Sequence, residues 1–153
     1  MNEYYKINSR EDDGESTLFD VSLLSDYHVY SGHFPDNPVS PGVCNIQMIK
    51  ECAEQLTGRR LFLAYIAKCR FSAMISPTVT PRLWLRMNLS EDGFRFPADS
   101  FHGSTDRLQR LFEQHITLSM MYSIKATLFD ETTTYIEFKG TFAPYFDKLK
   151  PEN

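Results

Sequence analysis

One segment limits the possible folds more than any other. Residues 43–56, VCNIQMIKECAEQL, place Val43, Ile46, Ile49, Ala53 and Leu56 at helical spacing. Cys44, Met48 and Cys52 widen that apolar sector, while Gln47, Lys50, Glu51 and Glu54 form a polar stripe. Both ends of the helix are marked. Ser40 is a good N-cap and Pro41 suits the first helical position. Gly58 is the natural C-terminal stop. So wide an apolar sector demands that other structure wrap the helix.

The remaining chain supplies strands to do so. In STLFDVSLL, Phe19, Val21 and Leu23 share a face. In LFLAYIAKCRF, Tyr65, Ala67, Cys69 and Phe71 alternate with Ile66, Lys68 and Arg70. In RLWLRMNL, Leu83, Leu85, Met87 and Leu89 oppose Arg82, Trp84, Arg86 and Asn88, and Trp84 is expected to be partly exposed. In ITLSMMYSIKATLF, Leu118, Met120, Tyr122, Ile124, Ala126 and Leu128 share a face. In TTTYIEFKGTF, Ile136, Phe138 and Phe142 do the same, and Asp130-Glu131 reads as a hairpin turn before them. One-face alternation fits an antiparallel sheet packed on one side. The expected fold class is therefore α+β: one long central helix wrapped by a curved antiparallel sheet of five or six strands. SREDDGES reads as a solvated turn, and a short helix is expected in the second half of residues 91–116, from Ser104 or Thr105 to His115.

The 153 residues suit a single domain, 1–153. Aromatic content is 14%, with 12 Phe and 8 Tyr, enough that a second subunit is expected to help bury them. A net charge of −4 argues against nonspecific binding of nucleic acid. No apolar run is long enough to span a membrane, and the polar, acidic start is unlike a signal peptide. Cys44, Cys52 and Cys69 are read as reduced, buried thiols of a cytoplasmic protein. Their spacing fits no zinc motif, and no metal site is expected.

Ahead of the helix stands SGHFPDNPVSPGV, residues 31–43. An isolated loop histidine is more often structural than catalytic. The context of His33 changes that balance. The run GHFPDNPVSPGV, followed by an apolar helix and a strand ending KCRF, resembles the (3R)-hydroxyacyl-acyl-carrier-protein dehydratases. His33, Phe34, Pro35, Asn37, Pro38, Pro41 and Gly42 match in order, and a looser likeness covers roughly residues 16–143. The resemblance implies a hotdog fold, in which a long helix lies inside a curled sheet. It also implies a lyase acting on 3-hydroxyacyl thioesters, in fatty-acid or specialised polyketide or pigment synthesis. The substrate would ride on phosphopantetheine, as an acyl-carrier-protein or CoA thioester, with no other cofactor.

That chemistry needs a base at C2, a donor to the C3 hydroxyl and a stabiliser of charge on the thioester oxygen. The resemblance assigns the base to His33, whose imidazole titrates near neutral pH. It assigns the oxyanion donor to the backbone N–H of Gly42, in the first helical turn. The family's acid comes from the helix of the other subunit, so a homodimer or higher oligomer is implied. Here the acid is replaced by Gln47, which hydrogen-bonds but cannot give up a proton. Losing a general acid typically costs about 10²–10⁴ in rate.

Several outcomes stay open. Glu51 could replace the acid, although it lies ~6 Å further along the helix axis. Asp36 could do so from the loop. The protein could instead be a thioesterase, or a non-catalytic carrier-binding or accessory subunit. It could also pair with a sibling subunit that supplies the acid. Two further departures are an absent or shortened N-terminal helix-and-loop and a long segment at 91–117.

Other residues carry weaker expectations. His28 reads as structural or surface, and His102 and His115 receive no role. Cys44, near the helix start, reads as a small core residue rather than a nucleophile. Asp36 and Asn37 are turn formers first. Arg59, Arg60, Lys68, Arg70, Arg82 and Arg86 are basic residues in an acidic chain. Arg82 and Arg86 share a strand face and are the candidates for docking an acidic carrier protein.

Overall fold

A computed structural model of the chain describes residues 4–26, 39–93 and 120–145. Among these, six strands form one antiparallel sheet: β1 (Tyr5–Asp12), β2 (Thr17–Leu23), β3 (Leu61–Phe71), β4 (Arg82–Gly93), β5 (Met120–Phe129) and β6 (Thr134–Pro144). One helix, α1 (Gly42–Thr57), separates β2 from β3 in the chain. The strand order is β1-β2-β4-β5-β6-β3, so the strand after the helix lies at the far edge. This is the hotdog layout, with six strands where five or six were expected.

Alternation explains which face the helix meets. Phe19, Leu85, Leu128 and Ile136 stand directly opposite one another across β2, β4, β5 and β6, and all four are buried. Val21, Leu83, Met87, Ile124, Ala126, Phe138 and Phe142 complete the inner face. Against it α1 buries Cys44, Met48, Ile49, Cys52 and Ala53. Each large apolar side chain so covered contributes about 1.5–3 kcal/mol relative to exposure. Trp84, on the outer face, is half-buried beside Phe129, as expected.

The helix stops as expected. Gly58 adopts φ 68°, in the left-handed region, and its N–H donates to the Glu54 carbonyl at 2.8 Å. The Glu54 carboxylate then accepts from the Leu61 N–H at 2.8 Å, tying the helix end to the first residue of β3. The Asp130-Glu131 hairpin also holds: Asp130 Oδ1 accepts from the N–H groups of Thr132 and Thr133.

Five expectations need correction. Ser9–Asp12, read as part of a turn, belong to β1. Past the half-buried Tyr5 and Ile7 that strand is an exposed edge held by pairing with β2, so its second half carries no apolar alternation. The turn is confined to Asp13–Ser16, where Asp13 Oδ1 accepts from the N–H groups of Glu15 and Ser16. Ser40 is not the N-cap: the helix begins at Gly42, Pro41 occupies the cap, and the Ser40 hydroxyl is engaged elsewhere. Val43 is 75% exposed rather than part of the apolar stripe, because it stands four and eight residues before Gln47 and Glu51, on their side of the helix. Cys69 is half-buried, unlike Cys44 and Cys52.

The fifth correction concerns β3. Its pairing with β6 slips between Leu63 and Tyr65 and again between Ile66 and Lys68. Each slip adds a residue and turns the next side chains of the strand to the other face. Tyr65 therefore faces with Thr141 on the outer side, while Cys69 and Phe71 pair with the inward Phe138 and Ile136. The short helix expected between Ser104 and His115 lies outside the described residues. Among the described residues no helix is long and apolar enough to cross a membrane.

Candidate active site

The start of α1 collects the features a thioester site requires. Pro41 caps the helix in an extended conformation and contributes no side-chain hydrogen bond. Its carbonyl accepts from the N–H groups of Cys44 and Asn45 at 3.1 and 3.3 Å. The N–H groups of Gly42 and Val43 meet no acceptor among the described residues. The first turn carries no acidic residue. The helix therefore presents at Gly42 the positive end of its dipole and donors with no acceptor among the described residues.

A ring lies beside that position. A Cβ built on Gly42 would fall 2.9 Å from Phe71 Cζ and 3.1 Å from its Cε1. Glycine at 42 thus serves the packing of the last residue of β3 as well as leaving the N–H accessible.

Behind it, a polar cluster fixes the entry to the helix. The buried Tyr4 hydroxyl bonds the Ser40 hydroxyl and donates to Asn45 Oδ1 at 2.5 Å. Ser40 Oγ also donates to Asn45 Oδ1 at 3.1 Å, and its N–H donates to the Ile75 carbonyl at 2.7 Å. Three buried polar side chains thus cluster through two hydroxyl protons and the Asn45 amide oxygen, next to Pro41 and Gly42. Sequence reasoning missed Tyr4 and Asn45. The available signal was an asparagine inside the apolar sector of a helix, since buried polar groups require partners.

A second network runs along the helix. Gln47 Nε2 donates to Glu51 Oε2 at 2.9 Å, and the Tyr5 hydroxyl donates to Glu51 Oε1 at 2.8 Å. All three residues are half-buried. Burial works to raise the Glu51 pKa, but the hydrogen bonds from Gln47 and Tyr5 favour the carboxylate and help hold it below its usual range. The Tyr5 hydroxyl shifts upwards, first through burial, then through neighbouring Cys52 and Glu51. A carboxylate only accepts, so the amide nitrogen of Gln47 is the end that faces Glu51.

The structure treats the other sequence candidates differently. His33 and Asp36 lie outside the described residues, as do His28, Asn37, His102 and His115. Burial pushes the Cys44 thiol up, which agrees with a core role. Arg82 and Arg86 both sit on the outer face of β4. Arg82 pairs with Asp20, and the Arg86 guanidinium lies 5.4 Å from the centre of the Phe129 ring.

Comparison with known proteins adds three findings. Residues 8–107 match the model of the ApeI-like family, described as ApeI dehydratase. Curated relatives include the 3-hydroxyacyl-acyl-carrier-protein dehydratase FabZ of Caldanaerobacter subterraneus subsp. tengcongensis, 30% identical over 73 residues, 43% of this chain and 52% of that protein. The FabZ of Bacillus cereus is 29% identical over 83 residues, 50% of this chain and 58% of that protein. The chain thus spans about half the length of the curated relatives it matches. Among solved structures, the dehydratase heterocomplex ApeI:P from Xenorhabdus doucetiae superposes with a TM-score of 0.57 at 17% identity, over 90% of this chain and 96% of that one. That superposition supports the shared fold.

Proposed function

This chain belongs to the ApeI-like family, and from that membership we propose that it dehydrates 3-hydroxyacyl thioesters borne on a phosphopantetheine arm. The observation that carries the reading is the positive end of α1 at Gly42, whose N–H meets no acceptor among the described residues. In the proposed reaction His33 takes a proton from C2. The electrons of that C–H bond form the C2–C3 double bond, and the C3 hydroxyl leaves with a proton as water. The Gly42 N–H donates to the thioester oxygen, where negative charge builds as C2 loses its proton.

The identity of the acid depends on charge. Glu51 is held as an ionised acceptor by Gln47 and Tyr5, so it is poorly suited to give a proton. Within this chain Asp36 is the remaining candidate. The alternative is a carboxyl from another subunit. Supporting that alternative, the edge strand β3 and its surroundings expose Ile66, Phe71, Met74 and Val43, an apolar border suited to covering by another chain. A homodimer is the simpler assembly. A heterodimer with a sibling subunit that supplies the acid is the second reading, favoured by Gln47 and by the heterocomplex in which the structural relative was solved.

The test is turnover of a 3-hydroxyacyl thioester, monitored by enoyl-thioester absorbance and free-thiol release. We expect dehydration without thiol release, and a loss of about 10²-fold or more in His33→Ala. Gln47→Glu is expected to raise the rate. The introduced carboxyl would stand one turn from ionised Glu51, and that like charge would lift its pKa towards neutral. Thiol release in place of dehydration would mark a thioesterase and refute the reading. Activity only after mixing with a sibling subunit would select the heterodimer.

A further inference from the structure

Three lysines stand side by side on the outer face of the sheet. Lys125 of β5 is directly opposite Lys139 of β6, and Lys139 is directly opposite Lys68 of β3. All three are exposed. Like charges placed directly across a sheet oppose folding, yet this chain of net charge −4 keeps three in one row.

The neighbouring rows extend the pattern. Two residues along, Arg86, Thr127, Glu137 and Arg70 stand opposite one another across β4, β5, β6 and β3. Glu137 reaches Lys68 at 3.6 Å. Among the described residues, no carboxylate pairs with Lys125 or Lys139. Lys68, Lys125, Lys139, Arg70 and Arg86 thus flank Glu137 in these two rows, and Asp13 lies within electrostatic reach of Arg86. On the other side, Ser90, Ser123, Thr141 and Tyr65 form a hydroxyl row. A groove of about 370 Å³ runs there, lined by Lys125, Lys139, Asn88, Tyr65 and Glu15 among others.

We propose that this outer face, centred on Lys125 and Lys139, docks an acidic protein surface, and that the partner is the carrier of the thioester. The identity of the partner rests on the dehydratase reading. The spread of charge favours a protein over a small anion. Strands lie about 4.8 Å apart, so the cations cover roughly 15 Å from β3 to β4. A single phosphate cannot engage that width, whereas carboxylates along a helix recur about every 6 Å. The centre of charge lies on β5 and β6, away from Arg82, whose charge Asp20 already meets.

The test separates docking from chemistry. Binding of a 3-hydroxyacyl-loaded acyl carrier protein is titrated at low and high salt, for the native chain and for Lys125→Glu/Lys139→Glu. A pantetheine-sized thioester without the carrier serves as the second substrate. We expect the double variant to bind the carrier roughly tenfold or more weakly at low salt, with a flattened salt dependence. Its turnover of the small thioester should be unchanged. Equal carrier affinity in both proteins, no carrier binding by the native chain, or an equal loss on the small thioester would overturn the docking surface. Loss of binding to phosphatidylglycerol vesicles alone would do the same, assigning the cations to a lipid surface. Should the native chain turn over neither substrate, the dehydration reading fails, while the titration still decides the docking surface.

Discussion

At Gly42 two demands meet on one missing methyl group. The ring of Phe71 fills the space where a Cβ would stand, and the N–H must stay open to an incoming carbonyl. Phe71 ends an edge strand and is 52% exposed, so its ring has room to swing aside. Gly42→Ala should therefore fold normally, since alanine recovers about 0.8–1 kcal/mol of helix propensity and offsets the disturbed contact. We expect kcat/KM to fall about 10-fold or more while Tm moves by only a few degrees, checked by steady-state kinetics and thermal melts. Legibility at this scale depended on whether the cue was local. His33 and Gly42 could be singled out because the surrounding prolines and phenylalanine carry the family pattern. The bond from Gln47 to Glu51 could be anticipated from their spacing of four. That Tyr5 would donate to the same carboxylate could not, because 46 residues separate them.

Among the elements, α1 and strands β2, β4, β5 and β6 were readable because their periodicity is local and one face of each is buried. β1 was not, because only Tyr5 and Ile7 touch the core and the exposed polar remainder is held by its neighbour's backbone rather than by an apolar face. β3 was located correctly but its faces were misassigned past the first slip in register, which no period-two pattern reports. The same irregular stretch makes Gly140 critical. A Cβ there would lie 2.8 Å from the Tyr65 carbonyl oxygen and 2.7 Å from Phe138 Cζ. One of these atoms is backbone and the other is in the core, so neither can yield cheaply. Gly140→Ala should destabilise the fold by about 1–3 kcal/mol, visible as a lower urea midpoint with an unchanged slope.

Among the described residues, the inner face of β2, β4 and β5 is buried while β3 exposes Phe62, Ile66 and Phe71. Ile66 turns inward yet remains 40% exposed, beyond the cover that α1 provides. A lysine at that position would be tolerated by a free edge but not by an apolar junction between chains. Ile66→Lys is therefore expected to shift the protein towards monomers in sedimentation experiments, and to lower dehydration in step with that dissociation. Strand order carries one more implication, for the chain as it is made. β3 ends at Phe71, but β6, the strand it pairs with, begins only at Thr134. On the ribosome β3 waits unpartnered, with its aromatic and aliphatic side chains uncovered, while the intervening chain is synthesised. Closing so long a loop is slow. The nascent polypeptide is therefore expected to be most prone to aggregation before the β5–β6 hairpin emerges.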